Sequence, residues 1–287
     1  MTESAAAPVD VHSHAWEYPS HFGDRFRTQA IRARAGVEVD LTVRLPQYRS
    51  SAPPGTRTVV FGAKAKRSDL WVDDRYVAGY VAQDPVHLIG FLSIDPTQEG
   101  WQREMRDGHE ALGLRGIKLL PMYAGFRPDD ERLDPLWEYA QRAGLPVLLH
   151  TGTTFVSEAP LECTLPRHID PVAMKFPDVT IVMAHLGHPY EGECVAVIRK
   201  HRNVYADISA LHYRPFQFYH ALMLVQEYGV WPKLLFGSDY PFTTVNASIE
   251  GLRKLNDMLD GTKLPRLDEQ QIENLIYRDG IHVLGLS

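Results

Sequence analysis

Val9-Asp10-Val11-His12-Ser13-His14 alternates apolar and polar residues until it ends on two imidazoles. In a strand, alternate side chains share a face, so His12 and His14 aim together while Ser13 points away. Three further apolar runs end in the same manner: Pro146-Val147-Leu148-Leu149-His150, Thr180-Ile181-Val182-Met183-Ala184-His185 and Lys233-Leu234-Leu235-Phe236-Gly237-Ser238-Asp239. A short apolar run bounded by turn residues reads as a strand buried on both faces, which puts each terminal polar residue at a strand's carboxyl end.

Outward from these four, strand-like runs also occur at Thr58–Gly62, Leu88–Asp95, Leu114–Leu120 and Asn203–Ile208, which makes eight. Helical patterns lie between most of them, at Leu70–Gln83, Trp101–Leu112, Leu133–Ala143, Cys194–His201, Phe216–Tyr228 and Ile249–Leu259. Strands alternating with helices imply a parallel sheet, and eight such units in 287 residues predict an α/β protein, a single-domain (β/α)8 TIM barrel over 1–287. An open doubly wound sheet would carry a Gly-rich phosphate turn after its first strand, where this chain has His12-Ser13-His14. The connection from Ala15 to Thr56 is too long for a barrel loop and reads as a lid-like insertion. It carries Arg25, Arg27, Arg32, Arg34, Arg44 and Arg49 against Glu17, Asp24, Glu38 and Asp40, a local positive excess that points to an anionic substrate group.

Composition narrows the classes. Apolar residues at 44% and charged residues at 23% are globular values, and a formal charge of −6 gives no polyanion-binding signature, so nucleic acid is not expected as a partner. Cys163 and Cys194 are too few for a disulfide framework, which fits a reducing, cytoplasmic setting. Met1–Pro8 has neither the basic start nor the apolar stretch of a signal peptide, and no run approaches the ~20 apolar residues of a membrane span. The expected partner is a small anionic molecule, with a homodimer left open.

If the barrel closes, the eighth strand lies beside the first, and His12, His14, His150 and Asp239 come within reach of one another. Three neutral imidazoles and a carboxylate suit one divalent ion, zinc first, with manganese, cobalt or iron as alternatives. Asp239 could instead cap the following helix, as Ser238 or Thr243 could. An aspartate buried at a strand end without a cation is costly, which favours the metal. His185 is left as the unligated acid or base, since imidazole titrates near neutral pH. Lys118 ends the fourth run. A lysine modified to carry a carboxylate would bridge two ions, with His150 and His185 turned to the second. Asp207 and Ser209, on the seventh strand, are candidates to orient the ligating histidines. His188, Trp16, Tyr123 and Tyr240 flank strand ends and could line a pocket.

The ordered set His12-Ser13-His14, Gly116-Ile117-Lys118, His150-Thr151-Gly152, His185-Leu186-Gly187 and Phe236-Gly237-Ser238-Asp239-Tyr240-Pro241 resembles the amidohydrolase-related metal-dependent hydrolases. The resemblance is to the branch containing aminocarboxymuconate-semialdehyde decarboxylase and several lactonases, and it runs from Val9 to about Phe242. It implies a (β/α)8 barrel with one divalent ion on His12, His14, His150 and Asp239, and His185 as acid/base. Two departures stand out. Gly280-Ile281 replaces the family's usual Asn-Ala pair before the last helix, and His188-Pro189-Tyr190 stands where many relatives carry glycine or tryptophan. The expected reaction is hydrolysis of a carboxylate-bearing lactone or amide by a metal-activated water, with His185 and Asp239 handling protons. A non-oxidative decarboxylase of an aromatic or unsaturated acid is the alternative, and a non-catalytic binding barrel the third reading.

Overall fold

Eight parallel strands, β1 (Val9–His14), β2 (Arg57–Phe61), β3 (Leu88–Ile94), β4 (Ile117–Leu119), β5 (Val147–Leu149), β6 (Ile181–Met183), β7 (Val204–Asp207) and β8 (Leu234–Leu235), pair in chain order in the computed structural model. The structure describes residues 7–287. The leader-free start expected for Met1–Pro8 falls, for its first six residues, outside the described residues. Helices follow the strands and cover the outside, giving the TIM barrel the alternation predicted.

The seam between β8 and β1 is made just beyond the short β8. Val11 N–H donates to the Phe236 carbonyl at 3.0 Å, Asp239 N–H to that of His12 at 2.8 Å, and His14 N–H to that of Tyr240 at 3.0 Å. Gly237 permits this approach, because a Cβ there would lie 2.8 Å from the Cβ of His12. Beneath the seam, the buried Asp10 carboxylate accepts from Ser238 N–H (2.8 Å), Ser238 Oγ–H (2.6 Å), Tyr48 O–H (2.9 Å) and His12 N–H (3.2 Å). Tyr48 comes from the helix Leu45–Ser50, so the insertion is tied to the barrel by the same carboxylate.

Segment 15–56 contains that helix and another at Asp24–Ala33, and its Trp16 Nε1–H donates to the Leu41 carbonyl at 2.9 Å. The helix expected over Leu70–Gln83 is shorter than predicted. Leu70–Trp71 pairs antiparallel with Lys64–Ala65, and the helix runs only over Asp74–Val81, started by Asp73, whose side chain accepts from Arg75 N–H. The apolar stretch before that cap is extended because its hydrogen bonds go to the hairpin. Helices at Ile169–Lys175 and Glu269–Ile276 were not anticipated from the sequence. Among the described residues no helix is long and apolar enough to cross a membrane.

One apolar layer lies between the strands and the helices. A second cluster, including Val9, Val11, Phe61, Phe91, Val182 and Leu235, fills the barrel and is plugged by Ile281, Leu284 and Leu286 of the chain end. This explains the Gly280-Ile281 departure. A Cβ on Gly280 would sit 2.8 Å from Val11 Cγ1 and 3.3 Å from Val9 Cγ1, so the last turn reaches the barrel floor only with glycine there. Gly280→Ala is expected to overpack this floor and cost about 1–3 kcal/mol, a fall of a few degrees in Tm. An unchanged Tm in a thermal scan would show that the floor is looser than described.

Candidate metal centre

At the carboxyl ends of the strands, His12, His185 and Asp239 each offer a ligand atom, all within 4.8 Å of one another. His14 joins them, its Nε2 lying 3.1 Å from the same Asp239 oxygen that His12 Nε2 approaches to 3.2 Å. Two ligands on one ion at about 2.1 Å each stand roughly 3.4 Å apart in tetrahedral geometry, close to these separations. His150 stands apart from this group, with its Nε2 3.2 Å from the Thr153 carbonyl and its ring edge-on to Tyr123. The sequence placed His150 among the ligands and left His185 outside, whereas the tightest grouping contains His185.

Proton positions sharpen the picture. His12 Nδ1–H donates to Asp207 Oδ2 at 2.8 Å, which leaves the Nε2 lone pair facing the Asp239 carboxylate. His185 Nδ1–H donates to the Ser209 carbonyl at 3.1 Å and lies 2.8 Å from Ser209 Oγ, so its Nε2 is also bare. His14 is unsatisfied in either tautomer, because its buried Nδ1 has no partner among the described residues. Its ring stacks on Trp16, the centroids 3.8 Å apart. Acceptors facing an anion, with an orphaned nitrogen beside them, are what a divalent cation would satisfy. The residues therefore fit the ion.

The charges agree. Burial pushes His14 down to about 3, and burial likewise holds His150 well below, and His185 below, the ordinary imidazole value. These three are neutral, as ligands must be. Burial and Lys118 push His12 down too, but Asp207 and Asp239 outweigh them and raise it. Although burial opposes ionisation, the neighbouring imidazoles of His12 and His14 hold Asp239 well below the usual carboxylate range. Lys118 is buried, its Nζ 3.4 Å from His12 Nε2 and 4.2 Å from the centre of the Phe61 ring, and burial lowers it to about 8. Asp10 is pushed up to about 6 by burial despite its four donors.

Backbone strain collects here. His185, Leu186, Ala210 and Asp239 have φ of 57°, 49°, 58° and 66°, a region that non-glycine residues avoid. The helix after β8 is capped by Thr244, whose side chain accepts from Ala247 N–H, so Asp239 is not needed as a cap. Above the centre lies a cavity of about 570 Å³ that reaches Arg34, His188 and Arg214. His188 donates through Nδ1 to Glu191 at 2.5 Å. Sequence reading missed Arg214, Phe155 and Phe242 on this cavity, since none ends an apolar run.

A family model described as amidohydrolase matches residues 9–277. The chain belongs to the amidohydrolase family. Among solved structures, this amidohydrolase is similar to an uncharacterized TIM-barrel protein from Bordetella bronchiseptica, at 20% identity and a TM-score of 0.70 over 97% of this chain and 98% of that one. It is also similar to a probable 2-pyrone-4,6-dicarboxylic acid hydrolase from Acinetobacter baumannii, at 16% and 0.67 over 97% and 99%. A third is a 5-carboxyvanillate decarboxylase from Novosphingobium aromaticivorans with bound manganese, at 15% and 0.66 over 99% and 98%. At these identities the likeness is one of fold. A curated 1,4-alpha-glucan branching enzyme from Burkholderia pseudomallei is 28% identical over 120 residues, 41% of this chain, and the match spans 16% of that enzyme.

The lowered histidines make stability depend on pH. Below about pH 6.5 the unfolded chain takes up protons that folded His14, His150 and His185 refuse, so stability falls as pH falls toward the depressed values. Asp10 and His12, both raised, oppose this, Asp10 only below about pH 6. In chelator-treated protein the urea midpoint is expected to drop between pH 7.5 and 6, at up to about 1.4 kcal/mol per unit for each net proton. A midpoint that is flat or rises on acidification would contradict the neutral assignment.

Proposed function

We propose that this amidohydrolase hydrolyses a small carboxylate-bearing lactone or amide with one divalent ion at Asp239. The observation that carries the reading is that His12 Nε2 and His14 Nε2 each lie within 3.2 Å of Asp239 Oδ1, while His14 Nδ1 is buried with no partner among the described residues. Zinc is the first candidate for three imidazoles and a carboxylate, and manganese, present in a fold neighbour, the second. When bound, such an ion supplies a water acidified toward neutral pH and polarises a carbonyl.

His12 and His14 from β1, Asp239 from beyond β8 and His150 from the end of β5 would hold the ion. Asp207 keeps the Nδ1 proton on His12 and so reserves Nε2 for ligation. The second oxygen of Asp239 would be the base that takes a proton from the nucleophilic water. His185, its Nδ1–H fixed by Ser209, would take that proton from Asp239 on its bare Nε2 and pass it to the leaving group. Lys118 enters as an ammonium that offsets the charge of Asp207 and Asp239. The modified, binuclear form would require His150 to leave Thr153. The two unpaired cysteines, both buried, support a reducing, cytoplasmic setting.

A second reading is favoured by the 4.8 Å grouping: His185 ligates and His150 moves the proton. A decarboxylase on the same site is the alternative chemistry, supported by the fold neighbour that decarboxylates. Metal content and turnover in labelled water separate all of these. His185→Ala is expected to retain the ion and lose 100-fold or more in kcat, while His150→Ala loses the ion. The reverse pattern would exchange their roles. Hydrolysis in 18O-water places one label in the product acid. A product free of 18O that instead carries solvent hydrogen on carbon would replace hydrolysis by decarboxylation.

A further inference from the structure

We infer that the amino end of the barrel, opposite the metal centre, holds a binding site for a small oxyanion, phosphate first, between Lys233 and Arg278. The site is independent of the reaction proposed above.

Lys233 directly precedes β8 and Arg202 stands just ahead of β7, so both lie where the strands begin. Lys233 Nζ donates to the Arg202 carbonyl at 2.7 Å and sits 4.2 Å from the centre of the Tyr205 ring. Arg278 follows the helix Glu269–Ile276 and reaches the same place, its Nη1 donating to the Pro232 carbonyl at 2.5 Å. Two cations thus meet at one short turn, Trp231–Lys233.

No carboxylate offsets them among the described residues. Burial alone acts on Lys233, lowering it to about 8, and burial lowers Arg278 with only Tyr205 opposing it. Two acids of this end are already engaged, Asp178 by Arg202 at 2.8 Å and Asp279 by the His282 N–H at 3.0 Å. In a chain of net charge −6, a pair of half-buried cations without a counter-charge stands out. Hydrogen bonding shows the same deficit. Arg278 Nε and Trp231 Nε1 are buried donors with no partner among the described residues, and Trp231 is only 4% exposed. Donors cannot satisfy one another, so these groups call for an acceptor. Because Nη1 is engaged by Pro232, the Nε edge of the guanidinium is left to grip an oxyanion, and Lys233 supplies the second positive charge. A water would satisfy the donors and leave both charges unmatched, whereas a dianion answers both needs. Arg278 also leads into Gly280-Ile281, the turn that carries the barrel plug, so an occupied site braces the plug from below.

Calorimetric titration of the protein as isolated with inorganic phosphate, against sodium chloride of equal ionic strength, tests this. Phosphate is expected to bind and, at about ten times its dissociation constant, to raise Tm by about 2–4 °C. Lys233→Met and Arg278→Met should each weaken this binding at least about threefold, and Arg278→Lys should regain part of the loss. Phosphate held at the metal centre would be insensitive to both substitutions, which separates the two places. If Arg278→Met does not fold, Lys233→Met decides alone. Absence of phosphate binding, or a smaller loss in either variant that folds, overturns the inference.

Discussion

The Asp10 carboxylate is wholly buried, and four donors from three parts of the chain converge on it. A buried carboxylate without such donors would cost several kcal/mol, so the chain is obliged to bring Ser238, Tyr48 and the His12 amide to it. That requirement fixes the register of the turn after β8 against β1. Asp239 follows Ser238 directly, and its own N–H is bound by the His12 carbonyl. The seam thus places the one carboxylate of the centre against two imidazoles, and ties the insertion to the same point through Tyr48.

Much of the fold was legible because its strands are buried on both faces. Continuous apolar runs such as Val147–Leu149 and Ile181–Met183 have no other economical reading, and their polar ends mark one rim. His12 and His14 were legible as a pair because strand periodicity is strict, and both do reach the same Asp239 oxygen. How His150 and His185 are oriented was not legible. It depends on which ring nitrogen a backbone carbonyl binds, Thr153 for one and Ser209 for the other, and carbonyls carry no sequence signal. Arg214 was hidden for a related reason, since it sits on a loop after β7 whose path is set by the left-handed Ala210 rather than by any periodic pattern.

The arginine excess of the insertion shows how a compositional hint can be right in direction and wrong in extent. Four of those six side chains find acids nearby, as exposed charges usually do, and contribute little beyond local order. Of the other two, Arg32 donates to the Phe155 carbonyl and Arg34 lines the cavity. The chain end teaches the complementary lesson. Gly280-Ile281 looked like a loss of family pattern, yet the glycine is what lets Ile281 reach the barrel floor.

In the proposed function a divalent cation resolves the crowding of His12 and His14 against Asp239. Anomalous diffraction from crystals grown with manganese measures it most directly. The account predicts a single strong peak at the strand ends, about 2.0–2.3 Å from Asp239 and His12 Nε2. Crystals that show no peak there at saturating manganese, with Lys118 bonded directly to Asp239 instead, would contradict it.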